Sequence, residues 1–509
     1  MTHRSTGISV DDGDQNELSE FGYKQELRRT MGGYTSFALA FSMITITTTI
    51  FTLFAQPFQT AGGAAIWLWL PVMIGVLLIA LVYGHLTVRL PVTGYAYQWS
   101  SRLVNPHYGW FTGWNAYLAT FVGSAGIAVA FATVFAPDFW SSPTHGNVIL
   151  LASIAIIAAV SLNIVSITIA SRLNNVGATA ELVGTLGLTA ALAVGLAFFS
   201  KHQGLSVLTH VGSSAGSPVN IATVGLALLL PVYTLAGWEG SADLAEETHD
   251  PRRTAPSAMI RSVVISAVAA FFVYAVFALA IPGDLNKTVN ATNENPLVAV
   301  FKYHFGQSAS VVLQIVAFTS IFSALLANIT VATRTSFALA RDNMLPLSGL
   351  WRYVNERTRT PIASTIAVGV VAIGVNFLSS GIATRVLGIV SVAVYLTYGT
   401  TLVAVLIGVR RNTIPNAPAQ YFSLGRWLVP VTLAGLLWCV IVIAYMTLPA
   451  PNKVVGEYTI YFELAGLAWY LLRLRDKLLR GEAGPRNLSP AAQTHMPSRQ
   501  PAVPPLAGD

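Results

Sequence analysis

Long apolar runs separated by short polar segments make up most of this chain. Twelve runs reach the roughly 20 mostly apolar residues that a helix needs to cross about 30 Å of hydrocarbon. Because lipid cannot satisfy open backbone groups, and because the runs are too long and continuous for barrel strands, helices are predicted. The predicted spans are 35–58, 64–88, 109–137, 147–170, 177–200, 221–243, 259–281, 309–334, 361–379, 383–409, 427–447 and 456–474.

The basic residues predict an orientation for these spans. With the N-terminus inside, the inner segments hold 24 of the 29 lysine and arginine residues, and the outer segments hold only Lys201, Lys287, Lys302, Arg385 and Lys453. Inner loops of membrane proteins carry such an excess of positive charge. The pattern therefore predicts twelve spans in the plasma (inner) membrane, with both termini in the cytoplasm.

Composition excludes a soluble protein and offers no cofactor site. Apolar residues are 54% of the chain and charged residues only 10%, whereas soluble proteins carry roughly 25% charged residues. The net charge of +7 follows from the inner loops, so no nucleic-acid partner is predicted. The single cysteine, Cys439, lies in an apolar run, and the histidines are scattered. We predict no metal, no cofactor, no P-loop and no enzymatic constellation.

Two spans contain polar or glycine-rich interruptions. Span 1 holds a hydroxyl-rich stretch from Ser42 to Thr49, and span 6 holds Ala236, Gly237, Trp238 and Glu239. Glycine weakens a helix and a carboxylate in the bilayer is costly, so such positions are expected where a helix breaks and lines a cavity. We predict that the breaks lie near Thr47–Thr49 and near Ala236–Glu239. The two stretches occupy corresponding positions in two five-helix halves, which indicates an inverted-repeat transporter. Helix packing is the alternative for both.

Several motifs resemble those of a known family. In order they read GYKQELRR (22–29), RLPVTGYAYQW (89–99), YGWFTGW (108–114), GWEGSADLAEETHDPRRTAP (237–256) and ARDNMLP (340–346). From about Gly22 to about Arg480 the chain resembles the amino acid–polyamine–organocation permeases, most closely their amino acid/choline transporter branch. The resemblance implies the leucine-transporter fold: an all-α membrane protein of five plus five inverted helices with two helices added.

The resemblance also implies where substrate binds. Its amino and carboxylate groups are expected to meet broken backbone in spans 1 and 6. Family members usually carry Gly-Ser-Gly-Ile-Phe in span 1, where this chain has Thr47–Phe51, and the missing glycines leave open how far the backbone opens. The expected substrate-binding residues are Ser42, Thr47, Thr48, Thr49, Ala236, Gly237, Trp238 and Glu239.

Other polar residues have open roles. Glu181 in span 5 stands where proton-linked relatives often carry lysine, and it either pairs with a helix end or titrates during transport. Tyr117, Thr120 and Ser124 share one face of span 3, where they line the cavity or pack against a helix. The acidic residues that end span 6 are either solvated charges near Arg252 and Arg253 or part of an inner gate; they are Asp243, Glu246 and Glu247.

These observations predict a domain order and a function. The order is a cytoplasmic tail 1–34, a ten-helix core 35–409 with repeats of about 35–200 and 221–409, helices 11 and 12 in 410–474, and a disordered cytoplasmic tail 475–509. The expected function is secondary transport of amino acids or related small amines by alternating access, coupled to protons or a counter-substrate. A polyamine or choline transporter, and a substrate sensor or channel on this scaffold, are the alternatives.

Overall fold

Helices make up most of the part of the chain that the structure describes. The structure, a computed structural model, describes residues 18–27, 29–199, 201–216, 218–291, 294–356, 358–377 and 382–486. Within those ranges the only strand-like pairing is an isolated bridge between Met31 and Thr248. The main helices are α1 Gly33–Ile44, α2 Ile46–Leu53, α3 Trp69–Arg89, α4 Tyr95–Leu103, α5 Pro106–Phe139, α6 His145–Val165, α7 Ile167–Gly195, α8 Ile221–Thr234, α9 Gly240–Asp243, α10 Pro251–Leu279, α11 Pro296–Phe305, α12 Gln307–Arg341, α13 Ile362–Phe377, α14 Ile382–Arg411, α15 Leu428–Thr447 and α16 Lys453–Trp469.

Membrane-spanning helices are numerous in this fold. Among the described residues, nine helices are long and apolar enough to cross a bilayer, and α8 and α13 are shorter apolar helices. A helix covers most of each predicted span, so the multi-pass class is confirmed, while the count of twelve and the inverted repeat stay predictions. The last residues of two predicted spans, 200 and 378–379, lie outside the described ranges.

Burial separates the centre of the bundle from its lipid-facing rim. In the most apolar stretch of α5, 94% of the residues are buried, against 28% in that of α15. A helix that is apolar all round and buried all round belongs in the interior, whereas an apolar helix that stays exposed must face lipid. Accordingly, α5 packs against α12 and α14 in the middle of the bundle.

Parts of both predicted tails are ordered segments of the described structure. Leu18, Tyr23, Leu27 and Met31 are buried, so part of the segment before residue 35 packs on the bundle, while the predicted domain bounds stay a prediction. Apolar side chains at this spacing can anchor a segment that looks polar on average. At the other end Arg475–Leu479 is helical. Residues 1–17 and 487–509, the remainder of the two predicted tails, lie outside the described ranges.

Candidate functional site at two broken helices

The first predicted span breaks at a single residue. Thr45 lies between α1 and α2 with φ 53° and ψ 47°, a left-handed conformation that costs a non-glycine residue roughly 1–2 kcal/mol. The predicted break at Thr47–Thr49 was therefore placed too late, because those threonines are helical. Thr49 Oγ1 donates to the Thr45 carbonyl oxygen at 2.9 Å, which ties the hydroxyl into the first turn of α2.

The side chain of Glu181, a residue of α7, binds the backbone at the start of α2. Its Oε1 accepts a hydrogen bond from the Thr47 backbone N–H at 2.8 Å, and Thr47 Oγ1 lies 3.2 Å from Thr185 Oγ1. Glu181 and Thr185 both belong to a π-helical turn, Ala180–Thr185, inside α7. Such turns re-aim side chains and are frequent at functional sites. Pairing with a helix end, one of the two roles considered for Glu181, is thus observed.

Two hydroxyls beside the first break have no partner. Ser42 Oγ and Thr48 Oγ1 are buried and make no hydrogen bond among the residues that the structure describes. Buried polar groups in native proteins are nearly always hydrogen-bonded. These two hydroxyls are therefore free to bind a ligand or water.

The second break lies where the sequence predicts it and touches the first. Helix α8 ends at Thr234 and α9 begins at Gly240, so Ala236 and Glu239 fall in the irregular segment between them. Gly237 has φ +94°, and a Cβ built on it would lie only 2.7 Å from the Met43 carbonyl oxygen. Only glycine adopts this φ readily while allowing so close an approach of two backbones.

Glu239 is bound to a neighbouring helix within an aromatic cluster. Its Oε2 accepts a hydrogen bond from the Tyr398 hydroxyl of α14 at 2.6 Å. The Trp238 ring stacks on Tyr398 with centroids 5.2 Å apart, and Tyr83 of α3 meets both rings edge-on. Trp238 Nε1 is buried and has no partner among the described residues. The cluster thus combines a carboxylate, aromatic faces and an open donor.

Two of the three polar residues of the third span contact another helix, and the third contacts aromatic rings of its own helix. Asn328 of α12 donates to the Thr120 carbonyl oxygen and to Ser124 Oγ, both at 2.8 Å. Tyr117 stacks on Trp114 and meets Phe121 at a tilt, both on α5 itself. The contacts of Thr120 and Ser124 correspond to the packing alternative, and a cavity-lining role for the three residues stays a prediction.

Buried ion pairs lie where α9 ends. Glu247 accepts two hydrogen bonds from Arg334, at 2.6 and 3.2 Å, and both side chains are 1% exposed. Glu246 forms an equivalent pair with Arg341, with two bonds of 3.0 Å. The sequence left two alternatives open for these acidic residues: solvated charges near Arg252 and Arg253, or ion pairs of an inner gate. The fold pairs Glu246 and Glu247 with arginines of α12, 95 and 87 residues further along the chain, and whether these pairs act as a gate stays a prediction.

Neighbouring carboxylates extend this cluster to two other segments. Asp243 accepts from the Gly94 backbone N–H at 2.7 Å, just before α4. Asp342 accepts from the hydroxyls of Tyr23 and Tyr97, each at 2.9 Å. Burial raises the pKa of Asp342 while the adjacent Arg341 opposes that shift, and burial raises the pKa of Tyr23 well above its usual range. The cluster therefore joins the N-terminal segment, α4, α9 and α12.

Sequence reasoning missed the partners of the site residues. Tyr398 and Tyr83 contact Glu239 and Trp238, and Thr185 contacts Thr47, yet none of the three was singled out. A tyrosine hydroxyl in an otherwise apolar span is the signal that could have found the first two. Thr185 lies four residues after Glu181, on the same helix face, which is the signal for the third.

Broken helices meeting inside a bundle of apolar spans define the class of multi-pass membrane transport proteins. Among the described residues no cluster of three or more His, Cys, Asp or Glu side chains could hold a metal ion. The family described as Amino acid permease matches residues 31–469. The chain belongs to this family, and it is a transporter and not an enzyme.

Named relatives agree with this assignment. The chain is 24% identical over 496 residues to the amino-acid permease BAT1 of Arabidopsis thaliana, covering 90% of this chain and 93% of that protein. It is 26% identical over 491 residues to the BAT1 homolog of Oryza sativa subsp. japonica, covering 91% and 93%. It is 23% identical over 448 residues to amino-acid permease 2 of Neurospora crassa, covering 84% and 80%. The predicted resemblance is therefore confirmed.

Proposed function

We propose that this protein is a secondary permease that moves amino acids or related small amines across the plasma membrane by alternating access. It has twelve spans built as two inverted repeats of five helices plus two further helices, with both termini in the cytoplasm. The substrate binds between the two breaks. The observation that carries the proposal is their contact, Gly237 against the Met43 carbonyl, because a break leaves backbone groups available for a substrate's charged ends.

Counterflow tests this function directly. The purified protein is reconstituted into liposomes loaded with one unlabelled amino acid, and uptake of the labelled form is measured against protein-free liposomes. An alternating-access carrier exchanges internal for external substrate, so loading should accelerate uptake. The panel contains amino acids, γ-aminobutyrate, polyamines and choline. Binding in a thermal-shift assay without counterflow of any compound would indicate a sensor instead.

The buried ion pairs act as the inner gate in this proposal. Glu247–Arg334 and Glu246–Arg341 tie the end of α9 to the end of α12, and Asp243 ties α9 to Gly94. Because these side chains are buried and would close this end of the bundle, the substrate would reach the breaks from the opposite face while the contacts hold. Release to the cytoplasm would then require them to separate, which costs the attraction of two buried pairs.

Glu181 supplies the coupling step. A half-helix N-terminus attracts a carboxylate, and the carboxylate of Glu181 already binds Thr47 N–H at that position in α2. A substrate carboxylate that used the same N–H would compete with Glu181. The displaced side chain would take up a proton more readily, since it would lose its donor. Substrate and proton would thus be linked, and exchange without an ion is the alternative.

The Glu181→Gln variant should separate these two modes. We expect it to lose the acceleration of uptake by an inward proton gradient while retaining at least about half of wild-type counterflow, because exchange needs no net proton movement. Uptake at several imposed pH gradients in proteoliposomes measures this. Glu463→Gln, which neutralises a carboxylate of α16 outside the ten-helix core, is the matched control. A sodium requirement with no response to the pH gradient in wild type would contradict the proposal.

Glu239 is proposed to hold the amino group of the substrate. Its carboxylate and the faces of Trp238 and Tyr398 form a setting that suits a cation, with cation–π attraction of roughly 0.5–2 kcal/mol. A polyamine or choline would bind only at this carboxylate and its aromatic neighbours. The presence of such a cation site is the observation that supports the organocation alternative. A zwitterion would in addition use the start of α2.

Glu239→Gln distinguishes a substrate contact from a packing contact. Losing a hydrogen bond to a charged group costs about 1.5–3 kcal/mol, so KM for amine-bearing substrates should rise about 10- to 100-fold with expression unchanged. Tyr398→Phe removes the bond to Glu239 but keeps the carboxylate, and it should have a smaller effect. Uniform loss of transport together with lower expression would instead indicate a packing role, and unchanged KM for all substrates would remove Glu239 from the site.

A further inference from the structure

A basic groove lies on the outside of the bundle, away from the two breaks. It has a volume of about 560 Å³ and runs between the first turn of α1 and the N-terminal part of α10, from Arg253 to Ile265. Tyr34 and Phe37 form the wall on α1, and Arg253, Ser257 and Arg261 form the wall on α10. A second groove of about 290 Å³ lies on the other side of the same two arginines. The two guanidinium groups therefore stand between two open depressions.

Both arginines lack a counter-charge. Arg253 and Arg261 are exposed and have neither an ion pair nor a hydrogen bond within the described part of the chain. The other arginines of comparable position in this region are engaged; Arg252 approaches Glu20 at 3.7 Å, and Arg334 and Arg341 are fully paired. Two unpaired cations that line the same groove attract an anion.

An apolar stripe continues from the arginines along the same helix face. Counting from Arg261, positions three, four, seven and eleven residues later are exposed and apolar; they are Val264, Ile265, Val268 and Phe272. This spacing places them in line with Arg261 on one side of α10. Exposed apolar side chains on a spanning helix contact lipid, so the groove opens at the point where acyl chains end and headgroups begin.

We propose that this groove binds the headgroup of an anionic phospholipid, with the phosphate on Arg253 and Arg261 and an acyl chain along the apolar stripe. Guanidinium groups match phosphate oxygens in geometry, and Tyr34 and Ser257 line the same groove with hydroxyl groups. The pattern of basic residues assigns this end of the molecule to the cytoplasmic leaflet, which carries the negative surface potential. Nothing in this proposal depends on the identity of the transported substrate.

Lipid titration of the purified full-length protein tests the proposal. Thermal stability is measured in detergent while phosphatidylglycerol or phosphatidylcholine is added, and native mass spectrometry counts the retained lipids. Wild type should be stabilised by phosphatidylglycerol but much less by phosphatidylcholine. Each basic residue near an anionic membrane surface strengthens binding about fivefold. Arg253→Ala/Arg261→Ala should therefore weaken the apparent affinity for phosphatidylglycerol about 30-fold.

Control variants keep the test decisive. Arg352→Ala/Arg410→Ala removes two exposed arginines that do not line the groove, and it should bind like wild type. Arg253→Lys/Arg261→Lys keeps the charge and should retain most of the binding. The loss of binding in the alanine variant could then be assigned to the missing charge and not to misfolding. Equal stabilisation of the alanine double variant by phosphatidylglycerol would overturn the proposal. So would equal stabilisation by inorganic phosphate, or a change of oligomeric state in the alanine variant without lipid.

Discussion

Replacing Gly237 by leucine is expected to abolish uptake of every substrate. At φ +94° any side chain strains the backbone, and the Cβ would meet the Met43 carbonyl oxygen at 2.7 Å, so the two broken helices would be pushed apart. Because the proposed site is formed by that contact, we expect uptake to fall at least about 100-fold, and Gly237→Ala to fall by less. Uptake of labelled substrate, normalised to the protein in the membrane, measures both.

Gly374→Leu is the matched control for this substitution. Gly374 is an exposed helical residue of α13, and nothing lies within 4 Å of a Cβ built on it, so leucine there should leave uptake unchanged. Size-exclusion profiles of the detergent-solubilised proteins show whether each variant is folded. Near wild-type uptake by a folded Gly237→Leu protein would place the substrate site elsewhere.

Breaking the Arg334–Glu247 pair is expected to have the largest effect on stability. Both side chains are 1% exposed and joined by two hydrogen bonds, so removing one partner leaves the other charge buried and unpaired. Arg334→Met should therefore destabilise the protein by about 3–5 kcal/mol. Scanning fluorimetry of the purified protein in detergent should show a melting temperature lower by several degrees.

The double variant separates the ion pair from its two members. In Arg334→Met/Glu247→Leu no buried charge remains, so the melting temperature should recover toward wild type relative to Arg334→Met alone. Arg480→Met breaks an exposed pair with Glu482 and should not change the melting temperature measurably. If the pair also closes the cytoplasmic end, the double variant should show slower counterflow despite its recovered stability. If the double variant instead lost as much stability as Arg334→Met and Glu247→Leu lose together, the two residues would not be coupled, and this result would contradict the pairing.

The positions of the breaks show how far sequence reasoning reaches. The break in span 6 was predicted at Ala236–Glu239 and lies there, because glycine inside an apolar helix signals a backbone that leaves the helix. The break in span 1 was predicted two residues too late. There the left-handed residue is Thr45, and nothing in a run of similar threonines marks which one leaves the helix, whereas Thr49 bonds back to the Thr45 carbonyl within α2.

The chain's pattern of apolar runs, charges and motifs by itself determined the helical class, the multi-pass topology and the family, because these depend on the local match between each segment and its solvent. Only the tertiary structure decided the partners of the buried charges: Thr47 for Glu181, Tyr398 for Glu239 and Arg334 for Glu247. These pairs join residues 87 to 159 positions apart. A buried charge requires a partner, but which one reaches it depends on how the helices pack, and no local pattern specifies that.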